Sequence, residues 1–518
     1  MKSVETPAES GKQVVTLPKR RSLRQLLLYG GAILGLAAGL ERVFAFLAAM
    51  LAARISGPQT FGGYSVVLAT AGTIAAYAGA GIGITAIRFS GDYPREGSGY
   101  RGFVRVLMTL GISSAAVAAF LMFVCAAPIA RWMLGNEGLT AVLRVAAISS
   151  AAIVLLECCR GLLLGQQKFY GLLVLSLISG IGLVIVLPLA ARINAGAMIA
   201  GQGTVALLTV LICVSLSRSL GIKPLRAESS DAGPGIRPVL TFGLVQFSAF
   251  AGLSIATWCV ASLVARSDHS LTQMGFYAVS NQFRGLAAIA PGLLAQIVYS
   301  SLTNESGAAY GGVGQVLLSS TIITTIMVTM VAGFAMIVLP WVLPAAYGSQ
   351  YLSSEVPVLL LLATAIIHMS GQAGAQRLSI VRLRATGAIN ACWALLLIAL
   401  GFLLIPRAGA TGAALAFLVS HTVSNALVIV FLHREGTLPS GYITTLAVAT
   451  AGAFMLAALG YGRALRPSYH VSLTIWLALI CIGHLSVVTL VGIRNGSLPQ
   501  LSFRGKEQPQ NVPSLSET

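Results

Sequence analysis

Charged side chains interrupt long apolar runs in this 518-residue chain, among them Glu41 and Arg42 side by side, Glu157, and Arg284. In hydrocarbon each would cost about 2.5–3.5 kcal/mol or more, so each must face protein or a water-filled space. Arg284 stands in "YAVSNQFRGLAAIAPG" with Asn281 and Gln282 just before it. A guanidinium flanked by two carboxamides suits an oxyanion, because arginine holds a phosphate through parallel N–H donors and an apolar cavity needs a few fixed polar groups. Arg42 is a second candidate of the same kind. Neighbours on a helix stand about 100° apart, so Glu41 and Arg42 could edge onto one cavity wall. Two readings stay open for that pair: contact with an ionic substrate or coupling ion, or an ion pair with other helices. Glu157, in "ECCRG", either neutralises Arg160 one turn on or takes part in proton or cation coupling. Gln246 and His368 read as interhelical hydrogen bonders.

Covalent chemistry has no apparatus in this sequence. There is no GxxxxGK[ST] phosphate loop and no metal-ligand cluster. The seven cysteines form no CxxC pair and read as small buried hydrophobes. The expectation is a protein that is not an enzyme and carries no cofactor. Any work it does would draw on an H+ or Na+ gradient, on a substrate gradient, or on a separate protein.

The elements that must position these residues follow from composition. The chain is 56% hydrophobic and 9% charged, against about 25% charged in ordinary soluble domains. A helix crosses the roughly 30 Å hydrocarbon layer in about 20 residues. Apolar segments of that length are expected at 28–53, 61–87, 103–129, 139–161, 169–191, 196–217 and 239–264, and again at 273–299, 314–343, 355–375, 386–406, 410–432, 441–462 and 471–492. The fold class expected is thus an all-α polytopic membrane protein of about fourteen transmembrane helices. With the N-terminus inside, tails and inner loops hold 23 of the 33 Lys and Arg. The outer side holds seven, Arg463 among them, and Arg42, Arg144 and Arg284 lie within spans. That bias puts both termini in the cytoplasm. It also explains the net charge of +18 without a nucleic-acid partner.

A repeat organises the spans. "LAARISGPQTFGGYSVV" at 51–67 returns as "LVARSDHSLTQMGFYAVS" at 263–280, with one inserted residue. Arg54 pairs with Arg266 and Tyr64 with Tyr277. "FVRVLMT" at 103–109 pairs with "VGQVLLS" at 313–319, and Pro128 with Pro340. A near-constant offset across three pairs of spans indicates an internal duplication. Six spans separate equivalent points, so the copies are parallel and face each other across a central cavity. The expected divisions are a cytoplasmic tail over 1–25, a six-helix bundle over 26–218, a linker over 219–238, a second bundle over 239–434, an appended helix pair over 435–493 and a tail over 494–518.

The stretch "LAARISGPQTFGGYSVVLATAGTIAAYAGAGIGITAIRFSG" resembles the opening of bacterial polysaccharide-biosynthesis flippases of the Wzx type. These belong to the oligosaccharide flippase family of the multidrug/oligosaccharidyl-lipid/polysaccharide exporter superfamily. Gly57, Pro58, Phe61, Gly62 and Tyr64 keep the pattern, and Arg88 falls where members often carry a basic residue. Gln59 and Thr60 replace the usual acidic pair. The resemblance in arrangement covers roughly residues 25–435. It implies a cargo of undecaprenyl-diphosphate-linked oligosaccharide, flipped across the bacterial inner membrane by alternating access for O-antigen or exopolysaccharide synthesis. Membrane lipids, a polysaccharide polymerase and a chain-length regulator are the implied partners. Arg42, Arg284, Asn281 and Gln282 would contact the cargo, and Glu41 and Glu157 would serve coupling. A cation-coupled multidrug exporter and a peptidoglycan-precursor flippase of the same superfamily are the alternatives. A membrane-embedded glycan polymerase or ligase is the alternative of another class, though it would want a larger outer loop than this chain offers.

Overall fold

The structure, a computed structural model, describes residues 31–79, 81–92, 99–219, 235–303, 312–436, 438–466 and 470–496. The N-terminal tail, most of the 219–238 linker and nearly all of the C-terminal tail lie outside the described residues. Every regular element among the described residues is helical: α1 Gly31–Gly79, α2 Ile82–Asp92, α3 Tyr100–Val124, α4 Thr140–Gly165, α5 Phe169–Ala191, α6 Ala195–Ser219, α7 Ile236–Ser267, α8 Thr272–Ala287, α9 Ile289–Thr303, α10 Val313–Tyr347, α11 Glu355–Val381, α12 Leu383–Arg434, α13 Tyr442–Leu465 and α14 His470–Arg494. Among the described residues ten helices are long and apolar enough to cross a membrane. The chain is thus a polytopic all-α membrane protein. Helices suit these sequences because hydrocarbon offers no partner for a bare backbone N–H or C=O.

Breaks in the helices follow local chemistry. Helix α1 folds back at Gly57 (φ 76°), just before Pro58, and α12 does so at Gly409 (φ 51°). Only glycine adopts such angles without strain. The Ala410 N–H freed at the second fold donates to Gln273 Oε1 at 3.1 Å. Two spans expected as continuous are interrupted. The 61–87 segment ends its first helix at Gly79 and restarts as α2 after Gly81 (φ 74°). The 273–299 segment divides at Ala288 into α8 and α9. Pro291 explains the second break. It lacks the N–H that would bond the Ala287 carbonyl, and its ring crowds that turn.

Packing joins the two halves in one core. A single buried cluster runs from Ala48 and Phe61 through Tyr277, Tyr347 and Phe417 to Leu477. Helix α1 packs against α5 and α8, while α11 packs against α12 and α13. The hairpin of α13 and α14 rests on α10 and α11. A Cβ placed on Gly333 of α10 would meet Cys481 Sγ at 2.3 Å, so the missing side chain sets that approach.

Arg463 departs from its expected place in an outer loop. It lies in the last turn of α13 with no exposed surface. Its Nη2 donates to Glu355 Oε1 at 3.1 Å and to the Met336 carbonyl at 2.9 Å, and its Nη1 to the Ile337 carbonyl at 3.3 Å. The Met336 carbonyl is available because Pro340, four residues on, has no N–H to offer it.

Candidate functional site

Helices α1, α7 and α8 bound a central cavity of about 670 Å³ between the two halves, with α5 and α6 adding Leu183 and Gln202. Arg42 projects into it from the first half of α1. Asn281, Gln282 and Arg284 line it from α8. These four were singled out by residue type and depth, and the fold brings them to one space. Arg284 is held on two sides. Its Nε donates to Asn281 Oδ1 at 2.9 Å, and its guanidinium carbon lies 5.0 Å from the centre of the Phe417 ring. Both contacts fix the fork while leaving its terminal N–H groups to point elsewhere. Gln282 Oε1 accepts from the Tyr347 hydroxyl at 2.9 Å. Among the described residues no carboxylate lines this cavity. Two cations with no lining anion give it a positive bias.

Glu41 and Glu157 do not join them. Both face a second space of about 440 Å³, lined by the first-half helices together with Phe247 of α7. Arg160 stands between the two carboxylates. It donates through Nη2 to Glu41 and through Nη1 to Glu157 Oε1 at 3.4 Å. Ser176 of α5 adds a hydroxyl that donates to Glu41 Oε2 at 3.2 Å. The helical rotation that separates Glu41 from Arg42 therefore sends them to different cavities rather than to one wall. Glu157 takes the local partner its spacing suggested, and Arg160 also reaches a carboxylate 119 positions away.

Other groups in and near the cavity make contacts of their own. The Tyr64 hydroxyl donates to Gln202 across the first half. Trp258 Nε1 donates to Thr70 Oγ1 at 3.0 Å, tying α7 to α1. His368 packs its ring on His421, with centroids 4.5 Å apart, where a hydrogen bonder was expected. The side chain of Gln246 lies outside the described residues. For Tyr64, the repeat with Tyr277 was the available signal. Trp258 and Gln202 stand beside no charge and in no repeated pattern that would mark them.

In sequence, the chain matches the polysaccharide biosynthesis protein family over residues 27–303, more than half of its length and all of the cavity lining. It belongs to that family. None of the curated proteins matches it in sequence. Among solved structures, this polysaccharide biosynthesis family member is similar to the lipid II flippase MurJ in an inward closed conformation, at 14% identity and a TM-score of 0.67, covering 90% of this chain and 99% of the other. It is also similar to a multidrug resistance MATE family transporter of the MOP superfamily in an inward-facing conformation, at 15% identity and a TM-score of 0.56, covering 78% and 98%. A MOP superfamily transporter from Pyrococcus furiosus matches at 16% identity and a TM-score of 0.56, covering 81% and 98%. At these identities the likeness establishes the fold. These relatives are transporters and flippases, not catalytic enzymes.

Proposed function

We propose that this family member moves a polyprenyl-diphosphate-linked saccharide across the bacterial inner membrane by alternating access. The observation that carries this reading is the central cavity, where Arg42 and Arg284 stand without a lining carboxylate. A diphosphate would pair with the guanidiniums, the sugars would lie in the shielded space, and the prenyl tail would stay in lipid. A cationic drug would meet repulsion there, which disfavours the multidrug exporter. Two cargoes share the diphosphate. The family description supports a surface-polysaccharide repeat unit, for O-antigen or exopolysaccharide. The fold likeness to a lipid II flippase over 90% of the chain favours the peptidoglycan precursor more directly. Glu41 and Glu157, bridged by Arg160 in the adjoining space, are the residues proposed to couple H+ or Na+ movement to transport.

Purified protein in liposomes decides among these. Fluorescent undecaprenyl-diphosphate oligosaccharide, fluorescent lipid II and a cationic dye are supplied separately, and transbilayer movement is read with an impermeant quencher. Movement of either diphosphate lipid but not of the dye is the expected result. Movement of the dye alone would overturn the reading.

We also infer fourteen crossings, obtained by dividing α1 and α12 at their folded glycines, counting the second part of α1 with α2 as one and α8 with α9 as one, with two parallel six-helix bundles and the α13–α14 pair outside them. Reporter fusions should then report the outer side at Thr60 and the inner side at Ser229 and the C-terminus. A Ser229 fusion reporting outside would overturn that topology.

A further inference from the structure

At the end of the bundle marked by Gly57, Gly135 and Gly348, the two halves touch through contacts that come in exchanged pairs. Arg54, near the end of the first stretch of α1, donates from Nη1 to the Ala345 carbonyl in the last turn of α10. Arg266, at the end of α7, donates from Nη1 to the Trp132 carbonyl at 2.6 Å. Trp132 lies in the Ile129–Met133 turn that continues α3. Arg54 and Arg266 are 212 residues apart, and Trp132 and Ala345 are 213 apart. Each half thus reaches into the other with the same residue and grips a carbonyl within one residue of the matching place.

The backbone seam beneath is exchanged in the same way. A Cβ on Gly62 would lie 2.1 Å from the Leu271 carbonyl oxygen, and a Cβ on Gly275 would lie 2.1 Å from the Pro58 carbonyl oxygen. Gly62 and Gly275 differ by 213, as do Pro58 and Leu271. Such closeness is possible only with no side chain at either glycine.

We propose that Arg54 and Arg266 form a two-part latch that shuts the central cavity at this end and releases when the cavity opens there. The proposal deepens the alternating-access reading and rests on it for its purpose, but its test needs no cargo. The chemistry of each grip suits a contact that must break. The last carbonyls of a helix lack intrahelical partners, and a cation near them is favoured by the helix dipole. Both arginine side chains are exposed, so water replaces the carbonyl at small cost once the halves part. The two grips share no residue, so their effects should multiply. Release of one alone would leave the cavity closed most of the time.

The experiment uses the full-length protein with Ser65→Cys, a cavity-lining position of α1. Vesicles of both orientations are treated with a membrane-impermeant maleimide, and labelling of the introduced thiol is followed by mass spectrometry of the peptide that carries it. From the side of the latch, Arg54→Ala and Arg266→Ala should each speed labelling about tenfold and the double variant about a hundredfold, as expected for losing one or two charged hydrogen bonds. Arg54→Lys with Arg266→Lys keeps both charges and should stay within a few-fold of the parent, which separates release of the latch from loss of fold. Unchanged labelling in the double alanine variant, or an equal rise from both sides, would overturn the latch. Failure of the liposome experiment with every cargo would instead overturn the transport reading and leave the labelling result standing.

Discussion

Arg284→Ala is expected to slow delivery of the diphosphate lipid about 10- to 100-fold at matched protein level. The magnitude follows from losing a charged hydrogen-bonding group, worth about 1.5–3 kcal/mol, with every 1.4 kcal/mol a factor of ten. The guanidinium is oriented before any cargo arrives, by Asn281 Oδ1 at 2.9 Å and by the Phe417 ring. Arg284→Lys should recover part of the rate, since the charge survives and the planar fork does not. Arg42→Ala should cost less. Arg42 is exposed where Arg284 is half-buried, so water already screens its charge. The measurement is outer-leaflet lipid-linked saccharide by impermeant quenching in liposomes. Normal rates in both alanine variants would make the arginines structural and remove the site.

The second large effect concerns stability rather than transport. Arg463→Ala is expected to destabilise the folded protein by about 3–5 kcal/mol, the usual cost of breaking a buried ion pair by removing one partner. Three acceptors lose their donor at once: Glu355 Oε1 and the carbonyls of Met336 and Ile337. Glu355→Gln should cost less, because its side-chain oxygen still accepts from the guanidinium. Thermal unfolding in detergent reads the difference as a lowered Tm. Arg463 does not line the central cavity, so the surviving folded fraction should transport at the parent rate. An unshifted Tm for Arg463→Ala would show that the α13–α14 pair is held by packing alone. A normal Tm with lost transport would place Arg463 in the transport cycle instead.

Some of the site is legible in the sequence. Arg42, Arg284, Asn281 and Gln282 were marked by polarity in apolar surroundings, and they line one cavity because lipid excludes them all. The repeat between Arg54 and Arg266 was also visible. What the exchanged arginines touch was not. Neither Ala345 nor Trp132 carries a signal, since the group being gripped is a backbone carbonyl that any residue would supply. Arg463 misled for a related reason. Its position at the end of an apolar run suits a loop as well as a last turn, and only Glu355 and the carbonyl opposite Pro340 make burial tolerable.

The sequence by itself determined that this chain lives in a membrane, that its regular structure is helical, and that its buried charges face inward. Those properties rest on transfer free energies, which add residue by residue and need no knowledge of neighbours. A sequence pattern returning at an offset near 212 was also legible, because two stretches can be aligned without knowing how they pack. Tertiary structure alone decided which space each charge enters. Glu41 and Arg42 are adjacent in sequence, yet one pairs with Arg160 and the other opens onto the central cavity. The rotation of a helix about its axis is set by what packs against it, here α5 and α8 against α1. Those partners come from parts of the chain more than a hundred residues away.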